Sequence, residues 1–113
     1  MRGDVYWATF EPRSGSEQRG RRPALIVSHD RFNRHPRWSS LLVVPISTSN
    51  AQARRGPTVI PIPAGAAGLE RSSVAVCHQV TTLDRTKLGA RLGSLPPDLL
   101  REIETGLMHA LDL

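Results

Sequence analysis

Many short extended segments, one amphipathic stretch at the C-terminus and one domain's worth of length predict a small, mostly antiparallel β barrel. A terminal helix completes an α+β chain. The 113 residues allow one modest core, so a single domain over residues 1–113 is expected.

Asp4–Phe10 is aromatic and roughly alternating, which predicts the first strand. A loop from Glu11 to Arg21 leads to a second strand over Arg22–Ser28, short, apolar and partly β-branched. Pro23 pushes Arg22 toward an extended backbone. His29–Trp38 is polar, contains Pro36 and has room for one brief helical turn. Leu41–Ile46 predicts the third strand, with Pro45 marking its end or a bulge. Thr58–Ile62 is the fourth, placed at an edge by its prolines, and Gly65–Leu69 is a loop. Ser73–Thr82 reads as the longest strand and Lys87–Leu92 as a last short one. In the terminal helix, Pro96 and Pro97 fit a first turn that needs no backbone donor, and Asp98 suits its positive end. Leu99, Ile103, Leu107 and Ala110 then form one apolar face. Gly106 weakens that helix by about 1 kcal/mol relative to alanine, so packing is expected to hold it.

Charge is unevenly spread. Net charge is +5, but residues 1–57 set ten arginines against four acids, a net of +6, while the remainder is −1. Such a field steers a polyanion to one surface. Cys77 is alone, which excludes a disulfide within the chain and a cysteine-based zinc site, and reads as an inert core residue. His29, His35, His78 and His109 lack ligand-like spacing, so no metal or other cofactor is expected. A charged N-terminal segment and the lack of any membrane-length apolar run predict a soluble, cytoplasmic protein with no membrane partner. There is no internal repeat or phosphate-binding glycine fingerprint.

The richest stretch is Gly15-Ser16-Glu17-Gln18-Arg19-Gly20-Arg21-Arg22-Pro23, a glycine-punctuated loop with three arginines opening onto the second strand. A guanidinium where a loop meets a sheet suits a phosphate, which it grips with two hydrogen bonds at once. The plainer alternative is a solvated turn with surface ion pairs.

Arg2-Gly3-Asp4-Val5-Tyr6-Trp7, Gly15-Ser16-Glu17-Gln18, Arg22-Pro23-Ala24-Leu25-Ile26-Val27-Ser28, Val43-Val44-Pro45-Ile46-Ser47-Thr48 and Gln79-Val80 occur in the order and spacing of the MazF/PemK toxins. Gly68-Leu69, Leu83-Asp84-Arg85 and the terminal helix also resemble that family, so the likeness spans nearly the whole chain. The resemblance implies an SH3-like barrel of the MazF/PemK/CcdB type, a homodimer, an endoribonuclease acting on mRNA, and a cognate, MazE-like acidic antitoxin. By position, it puts the family's catalytic arginine on Arg22, its catalytic threonine on Ser47 and its loop glutamate on Glu17. Ser47 departs from the commoner threonine but keeps the hydroxyl. His78 stands where many relatives carry an acid.

The same residues suit one reaction. RNA supplies its own nucleophile, the 2′-hydroxyl, so neither a protein nucleophile nor a metal is required. Attack on phosphorus concentrates negative charge on its oxygens, and a preorganised cation is what that transition state needs most. Arg22 supplies it and Ser47 donates a hydrogen bond to the same phosphate. Arginine does not deprotonate at ordinary pH, so proton removal falls to Glu17 or to His78. Around them, Arg19, Arg21, Thr48, His78 and Gln79 are the candidate RNA contacts. Trp7 and Trp38 are expected in the core, although an exposed Trp38 would stack on a base. The alternatives are a non-catalytic, CcdB-like toxin or a nucleic-acid-binding regulator on the same fold.

Overall fold

The structure is a computed structural model that describes residues 1–11, 19–48 and 56–113. Its described strands are β1 (Asp4–Phe10), β2 (Gly20–Ile26), β3 (Ser40–Ser47), β4 (Val59–Ile62), β5 (Ser73–Val76), β6 (Thr81–Asp84) and β7 (Leu88–Ser94). The helices are a single turn, α1 (Asp30–Asn33), and the terminal α2 (Pro97–Leu111). Neither is long and apolar enough to cross a membrane.

The strands form one antiparallel sheet in the order β4-β5-β3-β2-β1-β7, with β6 also on β3. On the side away from β2, β3 changes partner along its length. Its first half, Ser40–Val43, pairs with β6, and Ile46 and Ser47 pair with β5. Pro45 lies between these two pairings, registered only with Ala24 of β2. A residue without a backbone N–H is tolerated there because neither β5 nor β6 is registered against it. Pro45 was expected to mark the strand's end or a bulge; instead β3 continues in register through it to Ser47.

The stretch read as one long strand is two. β5 and β6 are separated by a 3-10 turn at Cys77–Gln79, which moves the chain from one partner region of β3 to the other. β2 starts two residues earlier than expected, putting Arg22 inside a strand opposite Ala8. β4 sits at the sheet edge, as its prolines require. Between β4 and β7, the 3-10 turn Ala66–Gly68 packs backbone against backbone on β7. A Cβ on Gly68, at φ +74°, would lie 2.0 Å from the Leu92 carbonyl oxygen, and one on Gly93 would lie 2.7 Å from the Ala67 carbonyl carbon. Only glycine fits this double approach.

Strand alternation sends side chains to two separate cores. Val5, Leu25, Val44 and Ile46 face one side, where Ile103 of α2 completes the cluster. Ala8, Phe10, Ala24, Ile26 and Val43 face the other, enclosed with Leu41 and Leu83 as the sheet curls on itself. Gly106 has a packing reason: a Cβ there would stand 2.8 Å from Cys77 Sγ and 2.9 Å from Ile60 Cγ1. Cys77 is fully buried beneath it, its thiol facing the Ile103 carbonyl oxygen at 3.7 Å, and burial pushes its pKa up to about 11. It is the inert core thiol the sequence predicted.

Candidate active site

A cleft of about 390 Å³ opens where β1, β2, the end of β3 and the Gly68–Ser73 segment converge. Its walls include Trp7, Arg21, Arg22, Pro23, Ile46 and Thr48, with Leu69, Glu70, Arg71 and Leu92 across from them. The register explains this gathering. Trp7 pairs with Pro23 and Thr9 with Arg21, so Trp7, Arg21 and Pro23 share one face of β1–β2. There the Arg21 guanidinium lies 4.3 Å over the Trp7 ring, a cation–π contact. Trp7 is thus half-buried at a cleft wall, not a core residue as its composition suggested.

Arg22, registered opposite Ala8 near the start of β2, lines the cleft as well. Its Nε donates to the Arg19 carbonyl oxygen at 3.0 Å, which fixes the head group without neutralising it. Among the described residues no carboxylate pairs with Arg22. Such a guanidinium keeps its charge and its remaining donors for an incoming anion.

β3 supplies the hydroxyls. Ile26, Leu25 and Ala24 oppose Val43, Val44 and Pro45, where the β2–β3 pairing ends, two residues short of Arg22 on one strand and of Ser47 on the other. Ser47 is 3 % exposed and is paired in the sheet with Val74, whereas Thr48 is exposed and lines the cleft.

The other sequence candidates are placed differently. Arg19 stands just before β2 and contributes its carbonyl. His78 and Gln79 lie on the turn between β5 and β6, outside the cleft walls. His78 Nδ1 is 2.8 Å from the Thr58 hydroxyl, tying that turn to the one before β4. Glu17 lies outside the described residues. Glu70 and Arg71, which line the cleft, were not singled out by sequence. The only signal for them was their position directly after Gly68-Leu69.

The whole chain then finds its relatives. The family model described as "PemK-like, MazF-like toxin of type II toxin-antitoxin system" matches residues 1–111. The chain belongs to this toxin family. It is 34% identical over 112 residues to a Mycobacterium tuberculosis protein named endoribonuclease MazF6, covering 99% of this chain and 96% of that one. In structure it is similar to MazF from Deinococcus radiodurans, with a TM-score of 0.80 at 28% identity, covering 98% of this chain and 94% of the other. A mycobacterial endoribonuclease in complex with its cognate antitoxin superposes with a TM-score of 0.75 at 28% identity, over 100% of this chain and 93% of that one. The predicted small barrel with a C-terminal helix is thus the fold of the toxin family.

Proposed function

We propose that this chain is a sequence-selective endoribonuclease that cuts single-stranded RNA through the substrate's own 2′-hydroxyl, leaving 2′,3′-cyclic phosphate and 5′-hydroxyl ends. Family membership supplies the reaction class, since relatives carry the name endoribonuclease. What supports the assignment to residues is Arg22 at the cleft, without an acidic partner among the described residues, with Ser47 and the cleft-lining Thr48 at the end of the strand that pairs with its own.

The 2′-oxygen attacks the adjacent phosphorus, a new O–P bond forms, the bond to the 5′-oxygen breaks, and that oxygen takes a proton from solvent to become the 5′-hydroxyl. Arg22 stabilises the charge that builds on the non-bridging oxygens, and the Ser47 hydroxyl donates to the same phosphate. The 2′-hydroxyl proton passes to a carboxylate: Glu17 by resemblance, with Glu70 the carboxylate that lines the cleft. Arg21 and Thr48 hold the substrate on the cleft face. His78 and Gln79, on their separate turn, contact the RNA further along its path, and Arg19 flanks its entry.

The protein acts in the cytoplasm as a homodimer under the control of an acidic antitoxin. The +6 charge over residues 1–57 favours a disordered acidic tail that folds as it binds and competes with RNA phosphates.

The test is incubation of the purified protein with a long unstructured RNA in EDTA, mapping the ends produced. Discrete cuts with 5′-hydroxyl ends are expected. RNA bound but left intact in every buffer would make the chain a binding module and refute the assignment.

A further inference from the structure

A second aromatic feature lies away from the cleft, in the segment joining β2 to β3. Phe32 and Trp38 are 42% and 46% exposed, yet their rings lie together, centroids 4.7 Å apart and planes tilted by 33°. The pair is not loosely held. Arg85 Nε donates to the Trp38 carbonyl oxygen at 2.5 Å, and its terminal nitrogen donates to those of Phe32 at 3.2 Å and Asn33 at 2.7 Å. The Asn33 side chain donates in turn to the Ser28 carbonyl at 2.8 Å. One arginine thus holds the backbone that carries two exposed rings, which lie against each other and belong to neither of the two main cores.

Charge decides what such a surface accepts. Arg31, Arg34 and Arg37 are exposed on the same segment. Its acid, Asp30, is occupied by the Arg2 backbone N–H at 2.7 Å and by Asn33 at 3.1 Å. A second copy of the chain docked here about a two-fold axis would set arginines against arginines. A single-stranded polyanion with flat apolar bases matches both properties, because bases stack on exposed rings while the phosphates meet the guanidinium groups. From Arg22 to Ile26, two residues before the foot of this segment, the chain is strand and advances about 13 Å at roughly 3.3 Å per residue.

We propose that the Phe32–Trp38 pair is an auxiliary stacking platform that holds unpaired RNA bases a few nucleotides from the scissile phosphate. The proposal rests on the reading of the chain as an RNA-cutting enzyme and adds to it a length-dependent binding site. Rings fixed in advance lose little freedom on binding, so this contact strengthens affinity for long substrates without touching the reacting atoms.

The test compares Trp38→Ala with the unaltered protein on two RNAs sharing one cut site. One carries only the nucleotides next to the cut, and the other has single-stranded flanks on both sides. Trp38→Ala should raise KM for the long RNA by about tenfold, the usual scale for losing one stacked base, and leave the short RNA and both kcat values unchanged. Trp38→Phe should restore most of the loss. Independently of any alanine variant, Trp38 fluorescence in a Trp7→Phe, Arg22→Ala protein should be quenched by long RNA and not by short. Equal KM changes on both RNAs, no change on either, or unquenched Trp38 would overturn the platform. Dissociation of a dimer on Trp38→Ala, seen by sedimentation, would assign the face to subunit contact instead. If no RNA is cut, the enzymatic reading fails, while the quenching result still decides whether bases stack here.

Discussion

The arginines at the N-terminal corner and those at the cleft have opposite surroundings. At the corner, Arg2 binds Glu104 at 2.8 Å and the Val27 carbonyl at 3.1 Å, and Arg91 reaches Asp4 at 3.3 Å. These side chains fasten β1, β7 and α2 to one another. At the cleft, among the described residues, Arg22 Nε donates to one carbonyl oxygen and no carboxylate pairs with it, while Arg21 lies on an aromatic ring. The same residue type is structural where acids and carbonyls consume its donors, and on the proposed mechanism it binds phosphate where they do not. That difference separates the site from the scaffold without reference to any relative.

The sharpest way to break the contrast is Arg22→Ala. Cleavage should fall by roughly two to three orders of magnitude, the usual effect of removing a donor aimed at transition-state charge, with the melting temperature little changed. Lysine should rescue poorly because it lacks the bidentate grip. Wild-type turnover in the alanine variant, measured on the same RNA, would leave the cleft without its catalytic group.

Next in size, Ser47→Ala should impair cleavage with little change in RNA affinity, while Ser47→Thr stays active. Thr48→Ala should weaken binding more than turnover. If Thr48→Ala abolishes turnover and Ser47→Ala does not, the working hydroxyl is the exposed one that lines the cleft and not the buried Ser47.

Much of this was legible in the sequence because it depends on local pattern. Alternation in Asp4–Phe10, the apolar run after Pro23 and the spacing of Leu99, Ile103 and Leu107 each specify an element and its buried side. What the pattern could not show depends on partners distant in the chain. Ser73–Thr82 looks continuous, yet it breaks at Cys77 because its two halves pair with different parts of β3. Trp7 and Trp38 were both expected in the core, but the strand pairing leaves Trp7 half-buried at the cleft, and Trp38 is exposed on the segment before β3. Arg22 stood out in the sequence as a guanidinium where a loop meets a strand, whereas Ser47, an ordinary hydroxyl at a strand end, was found only by resemblance. Glu70 and Arg71 had no local signature, since only the folding of the Gly68–Ser73 segment against Leu92 and Trp7 brings them to the cleft.

On the scaffold side, Gly106→Ala should destabilise without altering catalysis. The helix gains about 1 kcal/mol in propensity. The new methyl must press against Cys77 and Ile60, and overpacking of this kind costs about 1–3 kcal/mol. A melting temperature lower by roughly 5 °C with unchanged kcat is the expected outcome of thermal unfolding and RNA assays. An unchanged or raised melting temperature would mean that the Cys77 seam has slack.

The smallest effect concerns Asp4. Burial works to raise its pKa, but hydrogen bonds from Ser94 at 2.5 Å, Arg91 at 3.3 Å and the N-terminal ammonium at 3.3 Å outweigh it and hold the carboxyl below its usual value. A group depressed in the folded state contributes stability above its unfolded pKa and loses it as pH falls through the folded one. Asp4→Asn should therefore melt with a shallower dependence on pH below about 4 than the unaltered protein. Parallel acid limbs for the two proteins would show that the corner is not held by this charge.

On the proposed mechanism the substrate's 2′-hydroxyl is the nucleophile, and Arg22 and Ser47 act on the phosphate it attacks. The most direct measurement uses an RNA carrying a single 2′-deoxy substitution on the 5′ side of a mapped cut. Cleavage at that bond should disappear, cuts elsewhere should persist, and EDTA should change neither. Continued cleavage at the deoxy position, or strict dependence on added magnesium, would contradict the mechanism.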